Sequence, residues 1–131
     1  MATMQPVPGN PTGREFSASL IAADRVEGTT VYNHAGENIG EIETVMLDKV
    51  TGKVAYAVMS FGGFLGIGER YHPLPWSMLR YDVERGGYVV NLDKKTLEGA
   101  PNYRMDEAPN YADREWGKRL HEYYQVPPYW M

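Results

Sequence analysis

The chain has 131 residues, of which 43% are apolar, 13 are basic and 17 are acidic, so its formal net charge is −4. A chain of this length and composition can bury one sizeable core, and its negative charge makes nucleic acid a poor candidate partner. It contains no cysteine, which excludes disulfides, thiolate metal ligands and a cysteine nucleophile.

Residues 1–16 are rich in proline and glycine and nearly lack large apolar side chains. Such a stretch gains too little from burial to offset the entropy of ordering, so it is predicted to form a flexible arm. It has no apolar segment typical of a secretion signal, and no run in the chain approaches the ~18 apolar residues of a membrane span. We therefore expect a soluble, cytoplasmic protein without membrane insertion.

The next part of the chain alternates β-rich runs with turn signals. Residues 19–25 fit a short helical turn or the entry to a strand, and residues 31–33 are predicted to form the first strand. Residues 39–48 and 53–61 carry β-branched residues on either side of a Thr-Gly turn, which predicts a hairpin. The imperfect alternation in the first of these two runs predicts a bulge near Gly40.

Further strands are predicted beyond a glycine-rich segment. Residues 70–74 are interrupted by Pro73 and followed by Pro75, and the missing backbone donors indicate an edge strand. Residues 76–83 and 88–93 flank the turn Glu84-Arg85-Gly86-Gly87, which predicts a second hairpin. About five or six short strands at this spacing are typical of a small β-barrel or β-sandwich.

The end of the chain differs from the strand-rich middle. Residues 97–109 are predicted to form a loop because they are rich in proline, asparagine and glycine. Residues 111–126 place aromatic and apolar side chains at helical spacing, with Asp113 as the predicted N-cap. Gly117 weakens this helix by ~1 kcal/mol relative to alanine, and two consecutive prolines end it.

Six short pieces of the sequence follow one another in a characteristic order. They are Val31-Tyr32-Asn33, Gly36-Glu37-Asn38-Ile39-Gly40-Glu41-Ile42, Met46-Leu47-Asp48, Thr51-Gly52-Lys53-Val54-Ala55-Tyr56, Gly62-Gly63-Phe64-Leu65-Gly66-Ile67-Gly68 and His72-Pro73-Leu74-Pro75-Trp76. Taken in this order, they resemble the PRC-barrel family over about residues 20–95. This family of small barrels is named for the cytoplasmic part of a photosynthetic reaction-centre subunit, and the C-terminal domain of a ribosome maturation factor is similar.

The resemblance implies a mostly β fold, a small closed antiparallel barrel of about five or six strands with a C-terminal helix and an aromatic tail. We expect the barrel over residues 17–98 and the loop, helix and tail over residues 99–131. The resemblance also implies no catalytic residue and no cofactor. It favours a protein-binding or self-assembly module, either a homo-oligomer or a chain bound to a protein partner.

The glycine-rich segment and the tryptophan after it allow a second interpretation, a small-molecule binding protein. Closely spaced glycines let backbone N–H groups approach an anion, but no Gly-Lys-Ser/Thr ending and no helix pattern follow, so a structural loop is favoured. An anionic or aromatic ligand remains the alternative. The residues of this candidate ligand-binding or structural loop are Gly62, Gly63, Phe64, Gly66, Gly68 and Trp76.

The tail contains more aromatic residues than a solvated tail requires. Tyrosine and tryptophan give large contact area at low entropic cost and keep a polar group, which suits an interface. The alternatives are a latch on the chain's own barrel and a contact with a second copy. The candidate interface residues are Tyr111, Trp116, Tyr123, Tyr124, Tyr129 and Trp130.

The remaining polar residues give no sign of an active site. His34, His72 and His121 lack the spacing of metal ligands, so no metal site is predicted. The acidic residues of the 39–48 run are interpreted as a solvated strand face, with Asp48 as a turn former. No serine lies in a nucleophile elbow, and we therefore predict that the chain is not an enzyme.

Overall fold

The computed structural model describes residues 20–61, 70–104 and 106–131. The strands in these ranges are β1 (Thr30–Tyr32), β2 (Asn38–Leu47), β3 (Val54–Phe61), β4 (Arg70–Pro75), β5 (Arg80–Asp82) and β6 (Gly87–Val89). The helices are α1 (Ala23–Val26), α2 (Lys94–Glu98) and α3 (Arg114–Tyr124), and a 3₁₀ turn at Trp76–Met78 joins β4 to β5. The predicted arm at residues 1–16 and the glycine-rich segment at residues 62–68 lie outside the described residues.

The strands form one mixed sheet in the order β4-β3-β2-β1-β6-β5. Neighbouring strands are antiparallel except β1 and β6, which run parallel. β4 and β5 lie at opposite ends of this order, and within the described part of the chain no ladder joins them. The mostly β class and the C-terminal helix are therefore confirmed, whereas the prediction of a closed, fully antiparallel barrel is wrong.

The outer side of β4 explains why the sheet stays open there. Tyr71 exchanges two backbone hydrogen bonds with Tyr103, at 2.8 and 3.0 Å between nitrogen and oxygen, on the side away from β3. Because backbone groups alternate between the two sides of a strand, Pro73 and Pro75 also turn their nitrogens outward. Proline has no N–H, so the β3–β4 ladder loses nothing while the outer side lacks donors for β5.

A bulge in β2 brings two strands close together. Val31 pairs with Gly40 and Tyr32 with Asn38, so one extra residue of β2 lies between these pairs, as predicted from the sequence. Gly40 has a φ of +152°, and a Cβ at this position would lie 2.2 Å from the carbonyl oxygen of Ser60 on β3. Only glycine fits this contact between backbones without displacing β3.

Both faces of β3 are buried. This is unusual, because antiparallel strands commonly have one face exposed to solvent. The residues of β3 alternate, so Ala57 and Met59 point to the inner core while Tyr56 and Val58 point to the other face. The core also contains side chains from the other strands and from the residue after β6, among them Val31, Ile39, Ile42, Leu74, Tyr88 and Val90. The other face of β3 must therefore be covered by a segment outside the sheet.

That cover is the C-terminal segment, residues 101–131. α3 begins after Asp113, whose carboxylate accepts a hydrogen bond from the backbone N–H of Glu115, and it ends at Gln125 in the left-handed conformation with φ 59°. The helix and its predicted N-cap are confirmed. Leu120 and Tyr124 are buried on the side of α3 that meets the core.

Two boundaries differ from the sequence-based expectation. The predicted strand over residues 76–83 begins with the 3₁₀ turn, and only Arg80–Asp82 forms β5. The predicted strand over residues 88–93 ends at Val89, and α2 lies where a loop was predicted to begin. The reason is Asp93, whose carboxylate accepts a 2.6 Å hydrogen bond from the N–H of Thr96 and caps α2.

Candidate binding surface

The C-terminal segment packs on the sheet through a cluster of aromatic rings around Tyr56. The ring centroid of Tyr56 lies 5.7 Å from that of Tyr111, 5.8 Å from Trp116, 5.5 Å from His121 and 5.5 Å from Tyr129. All four pairs are tilted or edge-to-face, which is a favourable arrangement for aromatic rings. Three of the predicted interface residues thus contact the chain's own sheet.

The other three predicted interface residues also contact the same chain. The Tyr123 hydroxyl donates a 2.5 Å hydrogen bond to the carbonyl of Thr96, and Tyr124 is buried beside it. The guanidinium of Arg114 lies 4.8 Å from the ring centroid of Trp130, and Trp130 also packs against Gly117. All six residues therefore make contacts within one chain, which favours the latch, and contact with a second copy stays a prediction.

Gly117 permits this close packing on α3. A Cβ at this position would lie 3.0 Å from the Trp130 ring and 3.2 Å from the Tyr56 hydroxyl. The residue that weakens the helix intrinsically thus lets two aromatic side chains approach its backbone.

The layer between sheet and helix contains buried polar atoms without a hydrogen-bond partner. They are the hydroxyls of Tyr56 and Tyr124 and the Nε2 atom of His121. Burial raises the pKa of Tyr56, of Tyr111 and of Tyr124, with a smaller contribution from a neighbouring tyrosine in each case. These hydroxyls therefore stay protonated at neutral pH, and the three tyrosines add no charge to the contact between sheet and tail.

Replacing Tyr56 with phenylalanine is expected to stabilise the protein by ~1 kcal/mol or leave it unchanged, because the substitution removes an unsatisfied buried hydroxyl and keeps the ring. Urea unfolding of both proteins measures the difference. Tyr123→Phe is the matched control, since its hydroxyl has a partner, and we expect a loss of ~0.5–1 kcal/mol there. A loss above ~1 kcal/mol for Tyr56→Phe contradicts the assignment of an unpaired hydroxyl.

A groove lies where the start of β3, the 3₁₀ turn and the C-terminal tail meet. Its volume is about 290 Å³, and most of the residues that line it are apolar. The lining residues are Val54, Ala55, Pro75, Trp76, Ser77, His121, Pro127, Pro128, Tyr129 and Met131. Trp76 also meets Tyr88 edge-to-face at 5.4 Å, so one edge of its ring is held by the core while the residue lines the groove. We call this feature the Trp76 groove.

Exposed apolar side chains lie beside the Trp76 groove. Leu47 pairs across the β2–β3 hairpin with Val54, a groove residue, and is 55% exposed. Val50 at the tip of the same hairpin is 93% exposed, and Met131 at the rim is 89% exposed. We call Leu47, Val50 and Met131 the apolar flank. The turn beneath it is firmly built, since the Asp48 carboxylate accepts hydrogen bonds from the N–H groups of Val50 and Thr51, as predicted for a turn former.

The three histidines lie in different parts of the fold and differ in burial. His34 lies in an exposed turn, His72 is buried on β4 against Phe61, and His121 lies on α3. Within the described ranges no three histidine, aspartate or glutamate side chains are grouped as a metal site would require. No helix in the same ranges is long and apolar enough to cross a bilayer.

A family model, the PRC-barrel domain, matches residues 19–97. The chain belongs to the PRC-barrel domain family. The match covers the whole described sheet and all of α2 except its last residue, and it ends before the C-terminal segment that packs on Tyr56. The resemblance seen in the six sequence pieces is therefore confirmed, and the latch on this PRC-barrel chain lies outside the matched region.

One solved structure similar to this PRC-barrel chain is assigned as a 16S ribosomal RNA processing protein, RimM, from Pseudomonas aeruginosa. The two share 19% sequence identity with a TM-score of 0.37, and the similar region covers 60% of this chain and 48% of that one. The chain thus spans about half the length of that protein. No curated protein sequence gives a match.

The sequence predicted one residue of the Trp76 groove as a candidate ligand-binding residue and did not predict the others. Trp76 was singled out, and it lines the groove, while the glycine residues proposed beside it lie outside the described ranges. Tyr56, the centre of the aromatic cluster, was predicted only as part of a strand. Its signal was an aromatic residue in a run whose neighbours on both faces are apolar, which indicates a strand covered on both sides.

Proposed function

We propose that this PRC-barrel chain is a non-catalytic cytoplasmic module that binds a protein partner or a second copy of itself. The observation that carries the proposal is the apolar flank, whose three side chains are all more than half exposed beside an apolar groove. Exposed apolar side chains scattered singly are ordinary, whereas a group at one place is typical of a protein-binding site. The β2–β3 hairpin and the end of the C-terminal tail provide this surface together.

The charge of the chain and the build of the hairpin support a protein as the partner. The net charge of −4 gives no field that would attract a phosphate backbone. The Asp48 hydrogen bonds fix the hairpin turn, so Val50 is presented with little ordering left to occur on binding. Aromatic rings at the groove, Trp76 and Tyr129, are residue types enriched at interface centres.

Replacing both Leu47 and Val50 with glutamate is expected to abolish self-association, because charged side chains must lose their water when this flank is buried. We expect the unchanged chain to show a mass that rises with concentration in sedimentation equilibrium, and the variant to stay monomeric. Val83→Glu is the matched control, since Val83 is also exposed but lies in the turn between β5 and β6.

An unchanged chain that stays monomeric at every concentration contradicts self-assembly. Equal association of the unchanged chain and the Leu47/Val50 variant assigns the contact to another surface and contradicts the role of the flank. A loss of association in Val83→Glu as well would indicate a general effect of added negative charge, which likewise contradicts it.

A further inference from the structure

The Trp76 groove combines the features of a small-molecule site with those of a protein surface. Its volume of about 290 Å³ is at the lower end of the ~300–1,000 Å³ that ligand pockets have. Two aromatic residues, Trp76 and Tyr129, and three prolines line it. None of the residues that line it is an aspartate, glutamate, lysine or arginine, so the walls favour an uncharged guest.

His121 supplies the polar group of the groove. Its Nδ1 lies 2.6 Å from the carbonyl oxygen of Gly117, and because a carbonyl only accepts hydrogen bonds, Nδ1 must carry the proton. In the neutral ring Nε2 is then an acceptor, and it is buried without a partner. The rings nearest to His121 include those of Tyr129 and Trp130, at 6.3 and 5.5 Å between centroids. Tyr129 is therefore shared by His121 and the groove.

We propose that the Trp76 groove binds a neutral aromatic molecule that carries an N–H or O–H donor. Trp76 and Tyr129 contact the guest ring, and Nε2 of His121 accepts the guest's hydrogen bond. Tyr129 is 43% exposed, so its side chain has room to shift and let the donor reach Nε2. The bond satisfies an atom that is otherwise left unpaired, which gives the donor a specific advantage over an aromatic ring without one.

The chemistry of the walls decides between classes of guest. An anion would have no cation to pair with among the lining residues, which disfavours the anionic ligand considered from the sequence. A purely aliphatic guest would gain burial but would leave Nε2 unpaired and would lack the edge-to-face contacts that ring walls offer. An aromatic donor of the indole or phenol type satisfies both requirements.

Calorimetric titration of the full chain with indole and with 1-methylindole tests the proposal, because the two probes have nearly the same shape and only indole has an N–H. We expect saturable binding of indole and about tenfold weaker binding of 1-methylindole, as loss of one hydrogen bond to a buried acceptor predicts. Indole should also shift the NMR signal of the His121 Nε2 nitrogen in the unchanged protein.

Substitutions locate the binding in the groove. Trp76→Ala should weaken indole binding at least about tenfold. Trp76→Phe keeps a ring against Tyr88, so it provides a folded variant if the Trp76→Ala protein does not fold. Trp116→Phe is the matched control, since Trp116 packs on Tyr56 and Tyr111 and does not line the groove, and its affinity should stay unchanged.

Three results would overturn the proposal. They are no saturable binding of indole, indole binding that neither Trp76 variant weakens, and equal affinity for indole and 1-methylindole. These outcomes are independent of self-association, because Leu47 and Val50 do not line the groove and the two measurements use different variants.

Discussion

Replacing Gly40 with alanine is expected to leave the protein largely unfolded, at a cost on the order of 4 kcal/mol or more. The added Cβ would lie 2.2 Å from the carbonyl oxygen of Ser60 and 3.0 Å from the Met59 side chain. The backbone at Gly40 also has a φ of +152°, which other residues rarely adopt. Relief of the clash requires β2 and β3 to separate beside the bulge, and this pair lies inside the sheet, between β4 and β1.

The Gly52→Ala variant distinguishes the cost of the steric clash at Gly40 from the cost of a positive φ. Gly52 also has a positive φ, +76°, but a Cβ there meets nothing within 4 Å. We expect a loss of ~1–2 kcal/mol for this variant, the ordinary cost of a left-handed conformation. Circular dichroism during urea unfolding measures both proteins. If the two variants lose the same stability, close packing at Gly40 is not the cause.

The protein is expected to lose about 3 kcal/mol of stability through His72 when the pH falls from neutral to 4. Burial, and to a smaller extent the nearby Arg70, lowers the pKa of His72 from 6.5 to about 4. The unfolded chain therefore binds a proton between these two values that the folded chain does not, and the free energy of unfolding decreases as the pH falls through this interval. Below about pH 4 both states are protonated, and the His72 contribution stops changing.

Comparison with a His72→Phe variant isolates this contribution from that of the carboxylates. Both ring nitrogens of His72 are buried without partners, so phenylalanine removes no hydrogen bond and should fold at neutral pH. We expect the stability of this variant to change less with pH between 6.5 and 4. His34→Gln is the control, because His34 is exposed and its replacement should preserve the pH dependence. Parallel curves for the unchanged chain and His72→Phe would contradict the assignment.

Local sequence signals predicted those parts of the fold that depend on neighbouring residues. The β2–β3 hairpin, the bulge at Gly40, the edge position of β4 and the N-cap Asp113 were all predicted, since each depends on a few adjacent residue types. The parallel pairing of β1 with β6 was not, because it joins residues more than fifty positions apart. Two three-residue strands carry too little periodicity to reveal such a pairing.

The binding surface was only partly predictable for a similar reason. The aromatic tail was conspicuous in the sequence, but whether it covers its own sheet depends on how Tyr56 and Gly117 approach each other. The Trp76 groove needs the start of β3, the 3₁₀ turn and residues 127–131 at one place, and no local pattern connects these segments. The acceptor role of Nε2 of His121 follows from the 2.6 Å contact of Nδ1, and its lack of a partner follows from its burial, neither of which a local sequence pattern shows.

The outward-facing prolines of β4 have a consequence for how the protein behaves at high concentration. A strand of another molecule that paired with the outer side of β4 could donate hydrogen bonds to the β4 carbonyls. It could not accept hydrogen bonds from Pro73 or Pro75, because proline has no N–H. Continued addition of strands from one molecule to the next, which is the first step towards fibres, is blocked at this edge of the sheet. A contact between two molecules at this edge must then be made by side chains, so it can be specific and can end at a defined number of copies.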